Sequence, residues 1–206
     1  RAIIKTRITK ILIAAFTAAI LQNAVFARGL GASGETLALN KPRGILRFGA
    51  FVIYIVTLSA ALAWPLNYLL RLYRLSSRLG IRYLSSITTL LCICLVFALT
   101  YAVTRAWLPR LHYALRPLAL PAALNTAVLG AILLAFSSGY GYLKTCGFAF
   151  GSGAGYTLAL LLISEGRKRI ALSDVPRAFR GLPVALIYIG ILSLAIYGLI
   201  GHQLPT

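Results

Sequence analysis

Apolar positions in this chain neither alternate with polar ones nor follow a narrow stripe. They come in long runs, at about residues 11–27, 45–70, 83–107, 117–136, 146–163 and 182–201. Runs of this length predict helices, because a membrane barrel needs segments of about ten residues in which apolar and polar positions alternate. Bilayer hydrocarbon about 30 Å thick takes about 20 apolar residues per helical span. The pattern therefore predicts an all-α transmembrane chain of six helices with short connections, a single transmembrane domain over residues 1–206.

Two of the runs are interrupted. The first breaks at Arg28, Gly29, Gly31 and Gly34; the fourth is preceded by Pro117 and contains Pro121 and Asn125. Proline removes a backbone donor and glycine loosens a helix, so both runs are expected to form half-helices or re-entrant segments. The breaks lie about a hundred residues apart and carry related strings, Gln22-Asn23-Ala24-Val25 with Gly31 following, and Asn125-Thr126-Ala127-Val128-Leu129-Gly130. If each half holds three spans, an odd number, the second half enters the membrane from the opposite side. The expectation is thus two inverted three-helix repeats, about 11–107 and about 117–201, with broken first and fourth spans. Matched breaks in inverted halves point to a site near the bilayer midplane. Chance likeness between short strings of common membrane residues is the competing explanation at this point.

Composition changes the picture in one respect. The chain is 60% apolar and only 12% charged, with 21 Lys and Arg against 3 Asp and Glu, a formal charge of +18, and a mean hydropathy of +0.86. In a soluble protein that charge would suggest nucleic acid. Here the basic residues sit between apolar runs, where they meet lipid phosphates and set topology, so no nucleic-acid partner is expected. Arg71, Arg74, Arg78 and Arg82, at helical spacing beside Leu72, Leu75 and Leu79, suit a helix lying at the interface, with a solvated loop as the alternative. Six spans place nine basic residues on one side and twelve on the other, a small excess that puts the 165–181 loop in the cytoplasm. The near balance also makes an antiparallel homodimer conceivable. Lys and Arg ahead of the first run resemble a signal peptide, but no small-residue cleavage pattern follows, so the run is read as a span. A chain starting at Arg1 with no Met is expected to be numbered from inside a longer translation product.

Candidate chemistry is sparse. Gly147, Gly151, Gly153 and Gly155 lack the preceding strand and following acidic residue of a dinucleotide fingerprint, and the four-residue repeat of Gly147, Gly151 and Gly155 predicts a smooth face for close helix packing. Glu35, Glu165 and Asp174 all fall outside the middle of the apolar runs, which disfavours a self-contained cation carrier. His112 and His202 stand apart near span ends without metal-ligand spacing, and no nucleophile–base pair emerges, so neither a metal site nor a catalytic residue is nominated. Cys92 and Cys94 would point about 200° apart on a helix and, with Cys146, are expected to serve packing.

A family resemblance is carried by three stretches. Ser173-Asp174-Val175-Pro176-Arg177-Ala178-Phe179-Arg180-Gly181, followed by a span containing Ser193-Leu194-Ala195 and Gly198, resembles the RnfA/NqrE type membrane subunit of Rnf and Nqr electron-transport complexes. Leu120-Pro121 with Asn125-Thr126-Ala127-Val128-Leu129-Gly130 resembles that family's Leu-Pro and Asn-Cys-Ala-Val-Leu-Gly element, and Gln22-Asn23 through Leu30-Gly31-Ala32-Ser33 resembles its Asn-Asn to Leu-Gly-Leu-Cys element. The resemblance implies a multi-pass subunit of a bacterial inner-membrane, ion-translocating oxidoreductase. It also implies pairing with an oppositely oriented homologous subunit, together with further Rnf/Nqr-like subunits. One family cysteine at each broken helix helps hold a two-iron two-sulfur cluster at the centre of the pair. Those positions read Ser33 and Thr126 here, and the family's Glu in the third span aligns with Tyr101. A hydroxyl is a poor substitute for thiolate on iron, so ordinary cluster ligation is not expected of this chain.

The leading reading is a subunit of an Rnf/Nqr-like complex with Asn23, Gly31, Ser33, Asn125, Thr126 and Gly130 at the central interface. The alternative is a small inverted-repeat transporter whose polar breaks bind a solute, or a scaffold paralogue without redox function.

Overall fold

The computed structural model describes residues 2–32, 42–72, 83–107, 109–176 and 179–200. Among these residues seven helices follow one another: α1 Ala2–Ala19, α2 Pro42–Leu72, α3 Leu84–Trp107, α4 Pro109–Ala123, α5 Thr126–Ser137, α6 Tyr142–Ala171 and α7 Leu182–Ile200. No strand occurs among the described residues. Helices α4 and α5 are the two halves of one interrupted span, with a continuous apolar stretch over Arg116–Ser137. Four units, α2, α3, α4–α5 and α6, are long and apolar enough to cross a membrane; the apolar parts of α1 and α7 are shorter, Thr9–Ala19 and Leu182–Gly198. Large side chains such as Leu12, Leu91, Leu95, Leu162, Ile191 and Leu194 face outward. In water such a surface would aggregate; against hydrocarbon it is the matching solvent. The protein is an all-helical, membrane-embedded one.

Helices α2 and α6 form the centre. Helix α6 packs against α1 on one face and α2 on another, while α3, α4 and α5 gather on α2 and α7 lies against α6. The glycine repeat explains the α1 contact: Gly147, Gly151 and Gly155 meet Ile11, Ala15 and Ala19, so residues four apart on one helix abut residues four apart on the other. A Cβ at Gly151 would lie 2.6 Å from the Ala15 Cα, so only hydrogen leaves room for the backbones to come this close. Gly153 presses on Ile53 and Val56 of α2, and Gly49 of α2 receives Thr157. Without a hydrophobic drive between helices in lipid, this close approach is what holds them together.

The structure corrects several boundaries. Helix α1 ends at Ala19, not near residue 27, because Asn23 diverts the chain. Helix α6 runs past the expected end at 163, so Glu165, Arg167, Lys168 and Arg169 lie on its last turns rather than in a loop, and Lys168 pairs with Glu165. Helix α2 continues through Pro65 to Leu72, so Trp64 to Leu72 belongs to a span; the remainder of the expected interfacial helix, 73–82, lies outside the described residues. The cysteine expectation holds for Cys92, buried in the core, and fails for Cys94, which is exposed: two residues along a helix turn the side chain to the opposite side.

Candidate functional site

At the end of α1 the amide of Gln22 bonds to Thr17 O at 2.8 Å, a looser closure than the regular helix, and the chain then turns at Asn23. Asn23 Oδ1 accepts from the amides of Val25 and Phe26 at 3.0 and 3.4 Å, while its Nδ2 donates to Ala19 O and, across the fold, to Gly155 O of α6, both at 2.9 Å. A single helical turn follows. It closes with the amide of Leu30 on Ala24 O at 2.8 Å and Gly29 at φ +65°, a glycine-terminated helix end compressed into a few residues.

The second break repeats the device. Asn125, between α4 and α5, accepts from the Ala127 amide at 2.9 Å and so caps α5. Both asparagines are buried, and both satisfy backbone donors that a broken helix exposes to hydrocarbon.

The two breaks meet. Asn125 Nδ2 donates to Tyr156 Oη at 2.7 Å, and Tyr156 Oη donates to Gly31 O at 3.0 Å. The Gly31 amide in turn donates to Thr126 Oγ1 at 2.9 Å, which closes a ring through Asn125, Tyr156, Gly31 and Thr126. Gly31 has φ +76°, and a Cβ there would sit 2.6 Å from Asn125 Oδ1 and from Tyr156 Cε2. Leu30 fills the space above Gly130, where a Cβ would collide with it. Gly31, Asn125 and Thr126 meet in this ring, Gly130 faces Leu30, and Asn23 is tied instead to Gly155 of α6; Ser33 lies outside the described residues. Tyr156, 1% exposed, joins both breaks from α6 and was not nominated from sequence. A tyrosine inside an apolar run after glycines carries no signal of its own.

Chemically the site is a set of neutral donors and acceptors. The Thr126 hydroxyl is already engaged as the acceptor for Gly31, although its side chain reaches the molecular surface. Cys146 is ten residues before Tyr156 on α6, about 15 Å along the helix, and Cys92 packs in the core. Among the described residues no three of His, Cys, Asp and Glu gather to hold a metal. The residues here do not fit a cluster held by thiolates of this chain. At the position where the resemblance implies a Glu, Tyr101 packs edge-on against His112 with ring centroids 4.7 Å apart, and Thr104 Oγ1 lies 3.4 Å from His112 Nδ1. The sequence left His112 isolated; the fold makes it part of an α3–α4 contact. Thr88, Thr89, Thr100 and Thr104 return their hydroxyls to carbonyls three or four residues back on α3.

Comparison with known proteins extends these observations. Residues 11–202 match the family model described as Rnf-Nqr subunit, membrane protein. Among curated relatives, the A subunit of the ion-translocating oxidoreductase complex of Aromatoleum aromaticum is 34% identical over 89% of this chain and 92% of its own length. The protein of the same name from Syntrophotalea carbinolica is 34% identical over 89% and 93%, and that from Serratia proteamaculans 32% over 88% and 92%. With its paired asparagine-capped breaks and a match that runs nearly end to end, the chain belongs to the Rnf-Nqr family of membrane subunits.

Proposed function

We propose that this protein is an integral subunit of an ion-translocating electron-transport complex of the Rnf/Nqr kind, embedded in a bacterial inner membrane and crossing it six times as two inverted repeats. The observation that carries the reading is the meeting of the two breaks at Gly31, Asn125, Thr126 and Tyr156, in a chain whose relatives are named for one component of an ion-translocating oxidoreductase complex. The like roles of Asn23 and Asn125, each accepting from the amide two residues on, support the repeat. So does the central pairing of α2 with α6, the second full helix of each half.

In this reading Thr126, at the surface beside a sealed interior, faces an oppositely oriented partner, either a homologous subunit or an antiparallel second copy. Ser33 and Thr126 stand where family cysteines stand. The hydroxyl of Thr126 fastens one break to the other by a hydrogen bond, and electron transfer, where it occurs, depends on ligands from the partner. Membrane lipids surround the rest.

Affinity purification of the tagged full chain from native membranes, with mass spectrometry of what accompanies it and determination of iron and acid-labile sulfide, tests the proposal. Co-purification of a homologous membrane subunit together with redox subunits is the expected result. A stably monomeric protein without partners would overturn it. Iron absent from an intact assembly would separate a scaffold subunit from a redox one.

A further inference from the structure

Between α6 and α7 lies an open pocket of about 410 Å³, remote in sequence from either break. Two guanidinium groups, Arg167 and Arg180, line it together with Ser173 and Asp174, and Ile170 and Val184 form an apolar side. Arg167 Nη1 is buried, and among the described residues no acceptor reaches it. A guanidinium stays charged, and a donor that has left water without gaining an acceptor asks for an explanation, of which an absent anion or water is the usual one. Arg180 donates Nε to Val175 O at 2.8 Å, which ties its guanidinium to the turn. Among the described residues of the lining, Asp174 against the two arginines leaves a single positive charge in excess.

Depth identifies the ligand. Helix α6 has 30 residues, about 45 Å at the usual rise, which is longer than the hydrocarbon is thick. Its apolar run ends near Ile163, and Arg167 lies one turn beyond, where a helix that spans the bilayer reaches the level of lipid phosphates. Leu172, which lines the cavity and is 90% exposed, offers it apolar surface that a soluble anion has no use for.

We propose that this cavity binds the phosphate of an anionic phospholipid, with the planar forks of Arg167 and Arg180 on its oxygens, the Ser173 hydroxyl as a further donor, and Ile170 and Val184 against the glycerol and first methylenes. The inference is independent of any redox role.

The test is thermal unfolding of the purified full chain in detergent, titrated with dihexanoyl phosphatidylglycerol, dihexanoyl phosphatidylcholine or inorganic phosphate. Saturable stabilisation by phosphatidylglycerol is expected, with little from the other two. Arg167→Gln should weaken the apparent affinity for phosphatidylglycerol by about tenfold or more, the loss of a charge-assisted hydrogen bond, while Arg105→Gln at another helix end leaves it unchanged. Equal responses to phosphatidylcholine, or unaltered binding by Arg167→Gln, would overturn the proposal. Full stabilisation by inorganic phosphate alone would make this a free-anion site and overturn the lipid assignment. Should Arg167→Gln not fold, Arg180→Gln and competition between phosphatidylglycerol and phosphate on the unaltered chain give the same decision.

Discussion

Gly29 and Gly31 both hold a positive φ, but only one of them is hemmed in. Around Gly29 a Cβ meets nothing within 4 Å, whereas at Gly31 it would strike Asn125 and Tyr156. Gly29→Ala should therefore lose only the left-handed backbone penalty, about 1–2 kcal/mol, while Gly31→Ala adds overpacking for a total of about 2–5 kcal/mol. Unfolding of each variant in mixed detergent by titration with dodecyl sulfate measures the difference, and equal losses would contradict this account of the break. Tyr156→Phe removes a hydroxyl that accepts from Asn125 and donates to Gly31, so each loses a buried hydrogen bond. A loss of about 1–3 kcal/mol is expected in the same assay, and an unchanged midpoint would mean the ring through Tyr156 contributes nothing. At this scale the sequence was only partly legible. Asn23, Gly31, Asn125, Thr126 and Gly130 stood out because they fall in paired strings, but Tyr156, which bonds to Gly31 and Asn125, lies 31 residues beyond the latter on α6, and only folding brings it into reach.

The elements owe their ends and their contacts to a few small or capping residues. Asn125 starts α5 by accepting the Ala127 amide, and Asn23 turns the chain after α1 by the same bond, which is why both spans break where they do and not at the nearby glycines or prolines. The α1–α6 pair depends on Gly147, Gly151 and Gly155, and the middle one is the tightest test. Gly151→Ala places a methyl group into the Ala15 backbone, which cannot rotate aside, and should cost about 1–3 kcal/mol. Gly190→Ala on α7 meets open space and should be neutral or better by up to about 1 kcal/mol from helix propensity. Thermal stability of the two variants decides this, and similar behaviour would show that α1 does not dock on that face. The glycine spacing was readable in advance as a packing face because a four-residue repeat lines up on a helix whatever its partner. The partner, α1, was not readable.

For the whole molecule the open question is which way it lies in the membrane. Nine basic residues against twelve favour the 165–181 segment on the cytoplasmic side, which sends the C-terminus outward. Full-length fusions at the C-terminus should then give high alkaline phosphatase activity and little fluorescence from a green fluorescent protein, which folds in the cytoplasm. The reverse result would refute the orientation. Activity in both reporters would show dual insertion and give substance to an antiparallel homodimer.

The sequence by itself determined the class of fold, because unbroken apolar runs permit nothing but helices where water is absent. It also marked the two spans that are interrupted, since capping asparagines act on their own local backbone, although α1 ends at Ala19 and not near residue 27. Tertiary structure decided what those interruptions do. Capping is local, but the bonds that join Gly31 to Thr126 and to Tyr156 cross 95 and 125 residues of chain, and no periodicity encodes contacts at that separation. It likewise decided that Glu165 and Arg167 sit on the end of α6 and that Cys94 faces outward, because where a helix ends and which side it buries depend on the neighbours it packs against.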